Sequence, residues 1–447
     1  MNYEAAVRYL LALGRELAAP TQAAAAKFNL ENISVLAEKL GRPERTYPSA
    51  HIAGTNGKGS TAAFFESILR HAGFQTGMYT SPHLERINER IQINGEEIGD
   101  EAFAETLARI LALTEGLLAE GKLRAHPTYF ECVTAMAFEY FARSRVEFGV
   151  FEVGLGGRLD ATNILSPVVS LITRIDFDHE NFLGHSLKQI ASEKAGILKP
   201  GVPFVLAEQH SEARDIVLAR AKELACPVIE ANAAYRMDQE SFENGCVRAR
   251  ITEIATGWSV KIAPRLPGRF QLQNALSAVA TARLLVERDF RITEETIAQG
   301  IAATEWPGRL EKIHSCPDVY LDGAHNPSAA RELAAFWEQN FAGRKIWLLY
   351  GALRDKAVDE FAGALFPLAA EVIFTEPRTS RAISAAQLAE IAGYHAAHST
   401  VIVDAEEAFE HALMRAASED AIFITGSLYL VGQLRHYWKH RAQVAAR

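Results

Sequence analysis

The stretch GTNGKGS at residues 54–60 constrains this chain more than any other, because it crowds three glycines around one lysine between two different kinds of segment. Before it, YPSAHIA ends in a short apolar run, and after it TAAFFESILRHAGF carries Phe64, Ile68 and Leu69 on or near one helical face. A strand-to-helix junction of that kind gathers backbone N–H groups that have no intrahelical partner, and a polyphosphate can accept from them. Gly54 and Gly57 permit positive φ or close approach, Lys58 neutralises phosphate charge, and Ser60 offers a hydroxyl to Mg²⁺. The loop is off the usual pattern: Ile52 stands where the first glycine is expected, and Gly59 delays the serine by one place. ATP or GTP is the expected ligand.

A chain of 447 residues exceeds the size at which one core usually stops growing, so two domains are expected. The short runs VEFGVFEV and PVVSLITRI are apolar without strict alternation, as in parallel strands covered on both faces, and they predict an α/β class. Residues 1–50 read as helical and end in a polar turn at 41–48. The pattern then predicts a helix at 61–72, a loop at 80–99, helices at 100–118 and 128–142, strands at 146–153 and 168–175, a helix at 186–196 and a strand at 202–207. Alternation in CVRARITEI and WSVKI predicts a small antiparallel ribbon within 228–263. Pro307 and Gly308 mark the best hinge candidate, and beyond them a strand–helix rhythm restarts with at least five short strands.

Composition excludes several classes. With 49% hydrophobic and 23% charged residues, and no basic n-region before an apolar segment, the chain reads as a cytoplasmic globular protein without a membrane span. A formal charge of −9 offers no nucleic-acid footprint. Cys132, Cys226, Cys246 and Cys316 form no CxxC pair and read as core thiols.

Polar residues recur just past predicted strands, where parallel sheets collect ligands. Glu152 ends one strand before Gly154, Gly156 and Gly157, and is a candidate magnesium ligand. The next strand emits Asp176, Asp178 and His179, which suit either a surface network or a divalent ion. Glu193 and Lys194 read as a surface ion pair. In the C-terminal block, DGAHNP puts Asp322, His325 and Asn326 in a turn and Pro327 at the start of a helix. Two such edges facing one another would form a cleft for ATP and a second substrate.

Taken together, AGTNGKGS, TSPHLERINERI, FEVGLGGRLDATN, DHENFLG, SEKAGILKPG, WPGRLE and DGAHNP resemble the folylpolyglutamate synthase and dihydrofolate synthase family, within the Mur-type ATP-dependent amide ligases. The ordered set spans nearly the whole chain, and GTxGKGS-type loops are at home in that family. The resemblance implies an N-terminal P-loop nucleotide-binding domain over 1–305, mostly parallel with a small antiparallel ribbon, and a C-terminal Rossmann-like α/β glutamate-ligase domain over 306–447. It implies ATP on Gly54, Thr55, Asn56, Gly57, Lys58, Gly59 and Ser60, with Asn274, Arg309 and Asp322 on the nucleotide. One or two magnesium ions are implied at Ser60, Glu152, His179 and a carbamylated Lys194, with His325 near the phosphate end. Ser81, Pro82, His83 and Arg86 match the family's substrate loop, Thr128 and Phe130 lie in the HPTYFE segment that helps hold pteroate, and Arg158 and Asp160 follow the second glycine cluster. The implied substrates are a reduced folate or dihydropteroate and L-glutamate, and a monomer is expected. A P-loop ATPase that couples hydrolysis to a conformational change shares the first loop, but it would form ADP without an acyl acceptor.

Overall fold

The structure, a computed structural model, describes residues 1–13, 29–243 and 245–445. Strands β1 (Ser49–Ala53), β2 (Thr76–Tyr79), β3 (Ile91–Ile93), β4 (Glu96–Glu97), β5 (Phe148–Glu152), β6 (Val169–Ile172), β7 (Phe204–Leu206) and β8 (Val228–Glu230) form one sheet in the order β4-β3-β2-β5-β1-β6-β7-β8. From β2 to β8 every pairing is parallel, and only β3 and β4 run antiparallel at one edge. The apolar runs fail to alternate because β1, β5 and β6 are buried at every position. One face packs on helix Lys58–His71 and the helices Phe270–Val286 and Glu294–Ala303; the other packs on Asp100–Ala119 and Tyr129–Arg143.

Helix Lys58–His71 begins three residues before the predicted start, because Gly57 turns the chain at φ 86° and the helix grows directly from the glycine loop. Thr293 caps helix Glu294–Ala303 by accepting from the Thr296 N–H, and Thr128 caps Tyr129–Arg143 in the same way through Glu131. The segment 80–99 is not a simple loop: it folds into a 3₁₀ turn at Ile87–Arg90 and then supplies β3 and β4. The ribbon also differs from the expected span. Val228–Glu230 joins the main sheet, while β9 (Tyr235–Glu243), β10 (Cys246–Glu253) and β11 (Ser259–Ile262) make the antiparallel sheet. The apolar side of these strands packs on the helices Phe270–Val286 and Glu294–Ala303, with Val247, Ala249, Ile251, Val260 and Ile262 in the shared core.

The second α/β domain is a six-stranded sheet of β12 (Glu311–His314), β13 (Asp318–Leu321), β14 (Ile346–Tyr350), β15 (Glu371–Glu376), β16 (Ser399–Asp404) and β17 (Ala421–Thr425), ordered β12-β13-β17-β14-β15-β16. All of it is parallel except the β12–β13 pair. Helices cover both faces, giving two apolar layers around Leu348 and Phe423 on one side and Leu349 and Ile424 on the other. At the N-terminus the structure shows helices at Tyr3–Ala12 and Glu31–Lys39; the Ala-rich stretch 21–28 lies outside the described residues. Among the described residues no helix is long and apolar enough to cross a membrane.

Candidate active site

β1 is flanked by β5 and β6, so the loop that follows it leaves the middle of the sheet. Gly54 sits at φ 148° so close to β6 that a Cβ would lie 1.8 Å from Thr173 Oγ1. Gly57 (φ 86°) leaves no room either: a Cβ there would meet Asn274 Oδ1 at 2.2 Å. These contacts press the loop onto its neighbours: the Thr55 and Asn56 N–H groups are taken by Arg174 O at 2.8 and 3.3 Å, so only the N–H groups at the helix start, from Gly57 onward, are left for a ligand. Thr55 ties the loop to the next strand by donating its hydroxyl to Asp176 O at 2.9 Å and accepting the Asp176 N–H at 3.0 Å. Lys58 Nζ donates to Thr55 O at 3.1 Å, folding the lysine back over the loop, and Gly59 lies against the indole of Trp306. Ser60 is buried in the first helical turn.

Glu152, at the end of β5, is 4% exposed and accepts the Ser81 N–H at 3.0 Å. Burial raises its carboxyl pKa, opposed by the charges of Lys58, Arg309 and Arg90. One acid thus lies among the phosphate loop, the segment after β2 and the first residues of the second domain. Lys194 overturns its reading as a surface cation. It is 4% exposed and donates its Nζ to Gly54 O at 2.8 Å, because the helix Leu187–Ala195 turns it inward while Glu193 faces out to Arg158. Burial and the neighbouring Lys58 push the Lys194 ammonium down to about 7.

The loop after β6 meets the second domain. Asn56 and Asn326 exchange side-chain hydrogen bonds at 3.2 and 2.9 Å. Asp178 lies 3.4 Å from His325 Nε2 and accepts from Lys356 Nζ at 2.7 Å, and the Lys356 charge with the His325 hydrogen bond holds its carboxyl well below the usual range despite burial. His179, held left-handed at φ 51°, places Nδ1 3.5 Å from Asp355 Oδ2, and neither of these buried atoms has a hydrogen-bond partner. Desolvation and the Lys356 charge push the His179 imidazole down to about 3, so it is neutral at physiological pH. Asp322 accepts the Leu310 and Ala324 N–H groups, both at 2.9 Å, with its pKa raised by burial against the charge of Arg309. Arg309 packs on Gly323, and Asn274 hydrogen-bonds Gln271 beside Gly57.

The remaining predicted residues fall in two groups. Ser81 joins Glu152, Pro82 is exposed beside it, and His83 accepts from Arg90 Nε at 2.9 Å; desolvation and Arg90 push its imidazole down to about 3. Phe130 packs on Gly154 and on the Tyr79 ring. Four others are occupied elsewhere. Arg86 pairs with Asp100 over the Tyr3 ring, Arg158 pairs with Glu193, and Thr128 caps its helix. Asp160 accepts from Gly154 N, Leu155 N and Thr162, so it shapes the second glycine cluster instead of presenting a free carboxylate. Sequence reasoning missed Lys356, Asp355 and Arg90. Asp355 and Lys356 follow β14 at the same strand edge as DGAHNP, which is the signal that could have found them.

A glycine loop over a parallel sheet, facing a second α/β domain through polar turns, defines an ATP-dependent ligase of the Mur type. Residues 52–282 match the Mur ligase middle domain, and residues 308–428 match the Mur ligase, glutamate ligase domain. The dihydrofolate synthase/folylpolyglutamate synthase of Bacillus subtilis is 36% identical over 92% of this chain and 94% of its own. A Mycobacterium tuberculosis folylpolyglutamate synthase, solved with ADP and AMPPCP, superposes with a TM-score of 0.88 at 30% identity over 98% of this chain and 99% of its own. A Yersinia pestis bifunctional relative, solved with AMPPNP and a Mn ion, gives 0.83 at 30% identity, covering 98% of each chain. Within the Mur-type ligases, this chain belongs to the folylpolyglutamate synthase/dihydrofolate synthase family.

Proposed function

We propose that the enzyme joins L-glutamate to a folate carboxylate at the expense of ATP, passing through an acyl phosphate, and that it also converts dihydropteroate and L-glutamate to dihydrofolate. The observation that carries the reading is the meeting of Asn56 with Asn326: the glycine loop and the DGAHNP turn lie within hydrogen-bonding distance, so a nucleotide held on the first domain is also within reach of the second. The division at 305/306 is supported by β12 starting at Glu311, past Pro307 and Gly308.

A carboxylate is a poor electrophile, because its charge repels a nucleophile and neither oxygen is a good leaving group. In our reading the N–H groups of residues 57–60 and the Lys58 ammonium hold the ATP phosphates, Gly54, Thr55 and Asn56 shape the loop around them, and Asn274, Arg309 and Asp322 hold the nucleoside side. The acceptor carboxylate takes the terminal phosphoryl group and ADP leaves. Closure between the domains keeps water from the acyl phosphate. The amine of glutamate, as the free base, then attacks the acyl carbon, and inorganic phosphate departs to leave the amide. His325, whose Nδ1 lies 2.7 Å from Gly323 O, has Nε2 turned toward Asp178 at the phosphate end.

The residues present fit magnesium. Glu152 is a buried carboxylate, Ser60 a buried hydroxyl, and His179 Nδ1 a buried atom without a hydrogen bond. Among the described residues no group of three or more His, Cys, Asp and Glu is gathered as a metal cage. Ser60, Glu152, His179 and Lys194 would hold one or two such ions, and bound magnesium would neutralise charge on the transferring phosphoryl group. With its ammonium near pKa 7, Lys194 has a free-base fraction able to attack CO₂, forming an N–C bond and releasing one proton; the resulting carbamate supplies the anionic oxygen that an amine lacks. Ser81, Pro82, His83 and Phe130 line the acceptor side, with Thr128, Arg86, Arg158 and Asp160 fixing the backbone around it. A cytoplasmic location and a monomeric state belong to the same reading.

The test is purified enzyme with ATP, magnesium and labelled glutamate, offered dihydropteroate or tetrahydrofolate. We expect ADP formation that requires both acceptor and glutamate, and products heavier by one glutamate or more. ADP formation indifferent to the acceptor would refute the ligase reading; reaction with tetrahydrofolate alone would remove the second activity.

A further inference from the structure

Arg435 lies on the last helix, Leu428–Ala445, with its side chain 17% exposed between carboxylates from two distant parts of the chain. Its Nε is 2.9 Å from both oxygens of Glu311, and the same carboxylate accepts the Gly308 N–H at 2.8 Å. Its Nη1 donates to Glu85, in the loop that follows β2. Lys439, one turn further along the same helical face, donates to Glu85 Oε1 at 2.8 Å, and His436 Nδ1 stands 3.5 Å from Oε2. The backbones also close up: a Cβ on Gly432 would lie 1.9 Å from the Leu84 carbonyl oxygen. A planar guanidinium can bridge two carboxylates at once, which an ammonium cannot do in the same geometry.

The gripped loop is stiff. The N–H groups of Leu84, Glu85 and Arg86 all converge on the Glu89 carboxylate, at 2.5 to 2.8 Å. Its first residue, Ser81, gives its N–H to Glu152, and His83 is held by Arg90. Glu85 and its neighbours are thus tied to Glu89 within the same short segment whose first residues, Ser81 and His83, are anchored at Glu152 and Arg90. Glu85 is 10% exposed, and its hydrogen bonds to Lys439 and Arg435 lower its carboxyl pKa in spite of burial.

We propose that Arg435 is a positioning residue for the acceptor: through Glu85 it sets the 81–90 loop of the first domain from the last helix of the second, and so tunes affinity for the folate substrate. The inference rests on the assignment of that loop to the acceptor. The second domain thus acts on the acceptor wall directly as well as facing it across the cleft.

The test compares Arg435→Met, Arg435→Lys, Glu85→Gln and the Glu85→Gln/Arg435→Met pair, with kcat and KM measured separately for ATP, glutamate and tetrahydrofolate. We expect each single variant except Arg435→Lys to raise KM for tetrahydrofolate about tenfold while KM for ATP stays within about twofold. The pair should be no worse than the worse single change, as for residues acting through one contact, and Arg435→Lys should recover part of the affinity. His83→Ala is the control: if it leaves KM for tetrahydrofolate unchanged, the loop assignment fails. If His83→Ala raises that KM but Glu85→Gln and Arg435→Met do not, if their effects add, or if all three KM values rise alike with a lowered melting temperature, the positioning role is overturned.

Discussion

Lys356 Nζ donates to Asp178 Oδ1 at 2.7 Å, joining the turn after β14 to the turn after β6 across the boundary between the domains. Both side chains are largely buried, at 7% and 11% exposure, so each relies on the other for charge compensation. Asp178 also accepts the His179 backbone N–H at 2.8 Å, and so ties the second-domain cation to the residue that carries the buried imidazole.

Lys356→Ala leaves the Asp178 carboxylate with its main counter-charge removed. Breaking one side of a buried pair costs about 3–5 kcal/mol, far more than an exposed pair is worth. We expect turnover to fall by about a hundredfold or more and the Asp178→Asn/Lys356→Ala pair to recover part of it, measured by steady-state ADP release.

Lys58→Ala removes the glycine loop's own lysine, which folds back to Thr55 O. Loss of one preorganised charge contact is worth about 3–4 kcal/mol, so turnover with either acceptor should drop by roughly 10²–10³-fold. Near-normal rates in the same coupled assay would remove Lys58 from phosphoryl transfer.

Lys194→Ala deletes both the hydrogen bond to Gly54 O and the proposed carbamate. Activity should fall, and acetate or bicarbonate should restore part of it. Mass spectrometry of the intact wild-type protein under CO₂, after trapping of the carbamate, should show one added carboxyl group that the variant lacks.

Gly54→Ala forces a Cβ into Thr173 Oγ1 at a φ that L-residues rarely adopt. The loop must shift, so we expect weaker nucleotide binding by calorimetry and a lower melting temperature. Gly73→Ala provides the comparison: it also has positive φ, but nothing lies within 4 Å of the added methyl, so it should lose stability without losing ATP affinity.

His51 is buried in β1 with Nε2 2.8 Å from Thr162 Oγ1, and burial plus the Lys199 charge depress its pKa to about 3. Between that value and the ordinary ~6.5, the unfolded chain binds a proton that the folded chain does not. Stability therefore rises with pH across this window: the contribution is complete above about 6.5 and is lost on acidification, at up to ~1.4 kcal/mol per pH unit. His51→Gln should flatten the dependence of the urea midpoint on pH between 5 and 7, relative to the wild type.

Much of the fold is written in local pattern. Unalternating apolar runs marked β5 and β6, period-2 runs marked β10 and β11, and Pro327 marked the start of its helix at the predicted place. Val228–Glu230 escaped because a three-residue strand has no measurable period, and its membership of the main sheet depends on β7 lying alongside. The burial of Lys194 and Lys356 was illegible in local pattern for a related reason, although the family resemblance singled out Lys194. A lysine in a polar helix reads as solvated, and only the packing of Leu187–Ala195 beneath the glycine loop, or of the β14 turn against Asp178, takes the charge out of water.

The sequence by itself determined the α/β class, the phosphate loop and the family, because glycine conformation, hydrophobic period and motif order are properties of neighbouring residues. Tertiary structure alone decided which charges are buried, which carboxylates remain free, and which loop is held by Arg435. Desolvation and Coulomb attraction act between groups that the chain brings together from as far apart as Glu85 and Arg435, and no local pattern encodes those distances.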